Sequence, residues 1–126
     1  MSHARPPALL QDIFEATLAR HPEQIAIEIP PGTGRTQRLA VSYAALWAQA
    51  GRLAAEIGTS QQPDRLVVTL LPRESPALYA VQLGALRAGA AFVCLDPRFP
   101  DAQMRAVLSD AEPVALVTDS AGSVRV

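Results

Sequence analysis

Leu86-Arg87-Ala88-Gly89-Ala90-Ala91-Phe92-Val93-Cys94-Leu95-Asp96-Pro97 is the stretch on which the fold turns. Its first half reads as the end of a helix. Arg87 and Gly89 end that helix. Phe92 to Leu95 is a short apolar run rich in β-formers, and Asp96-Pro97 stops it. Helix, glycine, buried strand and turn, in that order, form a joint of an α/β chain.

Upstream of this joint, Leu66-Val67-Val68-Thr69-Leu70-Leu71 is almost continuously apolar, as expected of a parallel strand covered on both faces, and Pro72 ends it. Ser75 is placed to cap a following helix with Pro76 at its first position. Leu78, Tyr79, Gln82, Leu83 and Leu86 continue that helix, and Gly84 among alanines lets a neighbouring backbone come close. Downstream, Asp101 is expected to cap a helix with Met104, Val107, Leu108 and Ala111 inward, and Val114-Ala115-Leu116-Val117-Thr118 reads as a further strand. Right-handed crossovers turn this β-α-β-α-β run, about residues 64–120, into a three-stranded parallel sheet with covering helices and Phe92 to Leu95 as a central strand.

Closer to the N-terminus, Leu9, Leu10, Ile13, Phe14, Thr17 and Leu18 recur at helical spacing and predict a helix ending near Arg20-His21, before Pro22. Ile25 to Ile29 and Leu39 to Val41 are expected to pair as a β-hairpin around Pro30-Pro31-Gly32-Thr33-Gly34-Arg35, so that helix and hairpin fill about residues 8–43. Gly32 and Gly34 superficially suggest a phosphate loop, but they lie between two strands, where a plain turn is expected. Ser42 is an N-cap for a helix whose stripe is Leu46, Ala50, Leu53 and Ile57, widened by Trp47 and Ala54. Gly58 closes that helix, and Thr59-Ser60-Gln61-Gln62-Pro63 is a polar connection.

Composition narrows the function. The 126 residues suit one domain; 49% are hydrophobic, 18% charged, and the net charge of −1 favours neither disorder nor nucleic-acid binding. Every basic residue other than histidine is Arg. With no Lys, a P-loop lysine and a Schiff-base lysine are both excluded. One Cys and two His exclude an internal disulfide and leave too few soft ligands for a closed zinc site. Ala77 to Leu95 is apolar enough to suggest a membrane span, but Arg87 near its middle and the change from helix to strand pattern argue for two elements. The opening Met1-Ser2-His3-Ala4-Arg5-Pro6-Pro7 lacks a signal-peptide core, and a cytoplasmic protein is the expectation.

The carboxyl ends of parallel strands share one rim, where ligands usually sit. That rim would carry Pro72-Arg73-Glu74-Ser75, Asp96-Pro97-Arg98 and Thr118-Asp119-Ser120. Arg73, Arg98 and Ser75 are candidates for an anion. The plainer reading is that Asp96 fixes its own turn and the arginines pair with surface acids. Cys94 reads as a small buried hydrophobe and His21 as a surface residue complementing a helix end. Asp96, Asp101 and Asp119 could converge as acid–base carboxylates, though spacing alone does not support it, and no nucleophilic constellation can be assembled around His3 or His21.

Two stretches carry a resemblance. Val41-Ser42-Tyr43-Ala44-Ala45-Leu46 is similar to the first core motif, Leu-Thr/Ser-Tyr-x-Glu-Leu, of amino-acid adenylation domains of nonribosomal peptide synthetases, members of the AMP-forming acyl-adenylate ligase superfamily. Leu86 to Asp96 resembles the second, Leu-Lys-Ala-Gly-x-Ala-Tyr-Leu/Val-Pro-Leu/Ile-Asp, and Pro97-Arg98-Phe99-Pro100 continues it. The likeness runs from Ile13-Phe14-Glu15 to Asp119. Ala45 departs from the family's Glu and leaves a capping box half made, a loss of about 1 kcal/mol in the helix and none in the chemistry. Arg87 for Lys and Phe92 for Tyr keep size and character, while Cys94 for Pro restores a backbone N–H to the strand.

The resemblance implies an N-terminal, incomplete part of the large domain of an adenylate-forming enzyme. For the complete domain it implies attack of an amino-acid carboxylate on the α-phosphate of ATP with Mg²⁺, then transfer to a carrier-protein thiol. The family's phosphate loop, substrate pocket, ribose-binding acid and catalytic lysine lie beyond the matched motifs. No catalytic, cofactor-binding or metal-binding residue is therefore expected in this chain, and no cofactor is expected to be held by it alone. A chain of this kind should expose apolar surface, self-associate or bind the remainder of its domain, and should engage neither nucleic acid nor membrane. The alternative is a self-contained α/β binding or interaction module associating with a larger synthetase and using the strand-end rim for a nucleotide or other anion.

Overall fold

The computed structural model describes residues 9–32, 36–58, 65–118 and 124–125. The elements run α1 (Leu10–Arg20), β1 (Ile25–Ile29), β2 (Leu39–Ser42), α2 (Tyr43–Ile57), β3 (Leu66–Leu70), α3 (Pro76–Arg87), β4 (Ala91–Leu95), α4 (Asp101–Ala111), β5 (Ala115–Thr118) and β6 (Val124–Arg125). β1 and β2 form the expected antiparallel hairpin, with Ile29 opposite Leu39 and Ile27 opposite Val41. The main sheet has the order β4-β3-β5-β6; β3 pairs in parallel with β4 and β5, and β6 joins antiparallel. His3, Gly34, the 59–63 connection and Asp119 lie outside the described residues.

The strand order corrects one expectation. β4 is an edge strand among the described residues, and β3 takes the centre. Two crossovers leaving toward opposite faces produce this order: β3-α3-β4 steps one way, and β4-α4-β5 steps back across β3. The central position shows in the burial of β3, whose Val67, Val68 and Thr69 are fully enclosed. Val67 and Leu71 face a core built with Ala54 and Ile57 of α2, with Leu78, Val81 and Ala85 of α3, and with Ala115 and Val117 of β5. On the opposite face Leu70, Leu95 and Leu116 meet Met104 and Leu108 of α4 across a cavity of about 290 Å³. α4 has the predicted inward stripe, but no residue of it is fully buried.

Helix ends account for their polar groups in specific ways. Tyr43 N–H donates to Gln24 O at 2.9 Å, Ala44 N–H to Pro22 O at 3.0 Å, and Ala45 N–H to the Ser42 hydroxyl at 3.1 Å. The free donors at the start of α2 are thus spent on its cap and on the turn before β1, tying the hairpin to the helix. α3 ends in a Schellman motif at Gly89, φ +79°, with Ala90 N–H on Ala85 O at 2.8 Å and Gly89 N–H on Leu86 O at 3.0 Å. Two caps differ from expectation. Ser75 stands at the N-cap of α3 but makes no side-chain cap bond, and Pro100 rather than Asp101 is the cap of α4, Asp101 lying inside its first turn. The N–H of Leu78, which a Ser75 hydroxyl could cap, donates to the Ser75 carbonyl at 3.1 Å instead.

α2 and α3 pack closely because Gly84 has no side chain: a Cβ there would stand 3.0 Å from both Ala50 O and Leu53 Cβ. Trp47 locks the same corner. Its ring stacks on Phe14 of α1 at 5.3 Å and receives the Arg87 guanidinium at 3.9 Å, while Arg87 Nη1 donates to Trp47 O at 2.8 Å. Gly51 leaves room for that guanidinium, since a Cβ there would fall 2.9 Å from Nη1.

Candidate functional site

The rim at the carboxyl ends of β3 and β4 is the candidate site. After β3 the chain leaves toward α3 on one face, and after β4 it leaves toward α4 on the other. Adjacent strands whose connections diverge in this way open a crevice between their ends. Here the crevice is a cleft of about 220 Å³ lined by Leu71, Arg73, Leu78, Cys94, Leu95, Asp96 and Phe99. β3 runs into Leu71 and is stopped by Pro72, so Arg73 emerges at the rim. β4 runs into Leu95 and is stopped at Asp96-Pro97, so Asp96 and Phe99 face the same space.

Asp96 organises its own turn. Its Oδ1 accepts from Arg98 N–H at 2.9 Å and from Arg98 Nε at 3.0 Å, its Oδ2 from Arg98 Nη2 at 2.8 Å, and its carbonyl from Phe99 N–H at 2.9 Å. The side-chain hydrogen bonds from Arg98 come first, and the backbone one second, in lowering the Asp96 carboxyl to about 2; the nearby charge of Arg73 adds to this. The same carboxylate raises Arg98. Arg98 is 72% exposed, so water screens the pair, and its role is local geometry.

The rim residues named from sequence therefore separate. Arg98 is turned onto Asp96 and is not offered to a ligand. Arg73 lines the cleft, and its guanidinium makes no hydrogen bond or ion pair among the described residues. Ser75 is absent from the lining, and Asp101 borders the cavity under α4 instead, so the described carboxylates do not converge. Cys94 is exposed, which corrects its reading as a buried hydrophobe: on an edge strand it has a neighbour strand on one side only, and Gln82 Nε2 lies 3.3 Å from its Sγ. His21 closes α1 from the surface, its N–H on Thr17 O at 2.9 Å.

Sequence reasoning did not single out Leu71, Leu78 and Phe99 as walls of the cleft, nor Arg65. Arg65 is 8% exposed and donates to Ala88 O at 3.1 Å and Ile57 O at 3.2 Å, and also to Gly58 O. One buried cation thus closes the C-terminal ends of α2 and α3. Its only signal was a charge directly before an apolar strand.

The volume of this cleft is below the roughly 300–1,000 Å³ of pockets that enclose ligands of drug size. Among the described residues no group of three or more His, Cys, Asp or Glu could hold a metal ion. No helix among them is long and apolar enough to cross a membrane.

The fold is an α/β architecture with a parallel β4-β3-β5 core, an antiparallel hairpin and covering helices, and it carries the two motifs above. The chain belongs to the AMP-binding enzyme family, which matches residues 14–126. It is 37% identical over 110 residues to a dimodular nonribosomal peptide synthase of Bacillus subtilis, covering 86% of this chain and 4% of that protein. It is 36% identical over 120 residues to CymA of Salinispora arenicola, a probable non-canonical nonribosomal peptide synthetase, covering 94% of this chain and 1% of that one. Among solved structures, Klebsiella oxytoca NpsA in complex with 3-hydroxyanthranilyl-AMSN superposes with a TM-score of 0.70 at 26% identity, over 92% of this chain and 22% of that chain. The NpsA N-terminal subdomain does so with the same TM-score over 88% of this chain and 27% of that chain. The chain thus matches the N-terminal part of adenylation domains and spans about a quarter of one solved subdomain.

Proposed function

We propose that this chain is a scaffold portion of an ATP-dependent amino-acid-activating adenylation domain and forms no aminoacyl adenylate by itself. In this reading residues 1–126 are one incomplete domain, and ATP, Mg²⁺ and the carrier-protein thiol are engaged by the complete protein. The family match supports it, as does the lack of any lysine to meet a developing negative charge. The observation that carries it is the uncovered apolar surface. A groove of about 380 Å³ runs between Leu10 and Phe14 of α1, Ala26 and Ile27 of β1, Leu83 and Leu86 of α3, and Phe92 of β4. Beside it Leu10 is 67% exposed and Ile13 54%. A contiguous surface of this kind, next to a strand that is an edge among the described residues, is where further elements of the domain would pack.

The test has two measurements. Amino-acid-dependent exchange of pyrophosphate into ATP by the isolated chain should be absent for every amino acid offered. Size-exclusion chromatography with an apolar-surface dye should show dye binding and self-association. Exchange activity, or a compact monomer that binds no dye, overturns the reading.

A further inference from the structure

The cleft between the ends of β3 and β4 is left unused by the adenylate-forming reading, and its chemistry points elsewhere. It has apolar walls on both sides: Leu71 and Leu78 from the β3 end and α3, Leu95 and the 39% exposed Phe99 from the β4 end. Its charges are unequal in availability. Asp96 is committed to Arg98 through both carboxylate oxygens, whereas the Arg73 guanidinium makes no hydrogen bond or ion pair among the described residues and meets Asp96 only through its charge. The net offer to an entering molecule is one planar cation beside an apolar trough. A guanidinium of this kind recognises a carboxylate through two parallel N–H bonds, and the walls reward an organic body rather than a bare ion.

Size narrows the class further. A volume of about 220 Å³ is below that of pockets enclosing drug-sized ligands and suits a single small ring or branched chain better than a nucleotide. We propose that this cleft is a binding site for a small organic monocarboxylate, with its carboxylate on Arg73 and its apolar body against Leu71, Leu78, Leu95 and Phe99. Bound there, the ligand covers Cys94, the only cysteine of the chain, which lines the same cleft.

That neighbour supplies the assay. Alkylation of Cys94 by neutral iodoacetamide is timed on the intact chain by mass spectrometry, with benzoate as probe and benzamide and inorganic phosphate as controls. Benzoate should slow the alkylation saturably, and benzamide and phosphate should do so far less. Arg73→Gln should weaken the benzoate protection, measured against that variant's own unprotected rate, by about tenfold or more. Arg73→Lys, with its charge but not its planar fork, should fall between. Absence of protection overturns the proposal, as do undiminished protection in Arg73→Gln, equal protection by benzamide and equal protection by phosphate. Pyrophosphate exchange is a separate readout, so the two readings can fail independently.

Discussion

At Asp96 a single carboxylate holds a turn through three contacts from one arginine, and its titration follows from them. The Asp96 carboxyl is lowered from 3.8 to about 2 because Arg98 donates to the ionised form. A group depressed on folding contributes stability above its unfolded pKa and loses it as pH falls through its folded pKa. That contribution is therefore complete above about pH 4 and fades toward pH 2. Asp96→Asn keeps an acceptor for the Arg98 N–H but removes the charge. Acid unfolding monitored by circular dichroism should show a shallower loss of stability between those pH values than the parent chain. Arg65 is the opposite case, a buried cation whose hydrogen bonds among the described residues all go to carbonyls. Arg65→Leu should lower stability by about 3 kcal/mol in urea unfolding, because Ile57 O and Ala88 O are left buried, and Gly58 O part-buried, without this donor. The Asp96 turn was legible in the sequence because its bonds span two or three residues. The partners of Arg65 lie 7, 8 and 23 residues away, and no local pattern announces them.

Among elements, α2 against α3 is the contact most sensitive to a single atom. Gly84→Val places a branched side chain where even a Cβ sits 3.0 Å from the Ala50 carbonyl oxygen, which belongs to helix backbone and yields little. A loss of about 1–3 kcal/mol is expected from overpacking, visible as a lower thermal midpoint. α1 is held differently. It buries no residue fully, and its grip is the Phe14 stack on Trp47 together with Gln11 Nε2 on Leu86 O at 3.1 Å. Trp47→Ala should cost about 1–3 kcal/mol by removing the ring stack and the Arg87 cation–π contact together. Hydrogen exchange should then rise in α1 before it rises in β3. The helix stripes could be read from spacing, and Gly84 announced the close approach. The Ser75 and Asp101 caps could not be settled in this way, because either residue type suits either of two adjacent positions at a helix start.

On the scale of the molecule, the apolar stripe of α1 is well formed and largely uncovered. Leu10→Glu with Ile13→Glu changes residues that are more than half exposed, so the fold should stay within about 0.5 kcal/mol of the parent. Dye binding and self-association should both fall. If they persist, the apolar surface responsible lies elsewhere, on β4 or under α4.

Local chemistry determined much of this protein before any fold was known. Helix and strand periods, the Ser42 cap, the Gly89 stop and the Asp96-Pro97 turn act over a few residues, and each is written in the order of its own side chains. The two motifs built from them placed the chain among adenylate-forming enzymes. Tertiary structure alone decided that β3 and not β4 lies at the centre, that Cys94 is therefore open to solvent, and that Arg98 pairs with Asp96 while the Arg73 guanidinium makes no hydrogen bond or ion pair among the described residues. The physical reason is common to all three. Strand order depends on the direction of each crossover, and a side chain's partner on what that order brings beside it; a strand's own sequence specifies its faces but not its neighbours.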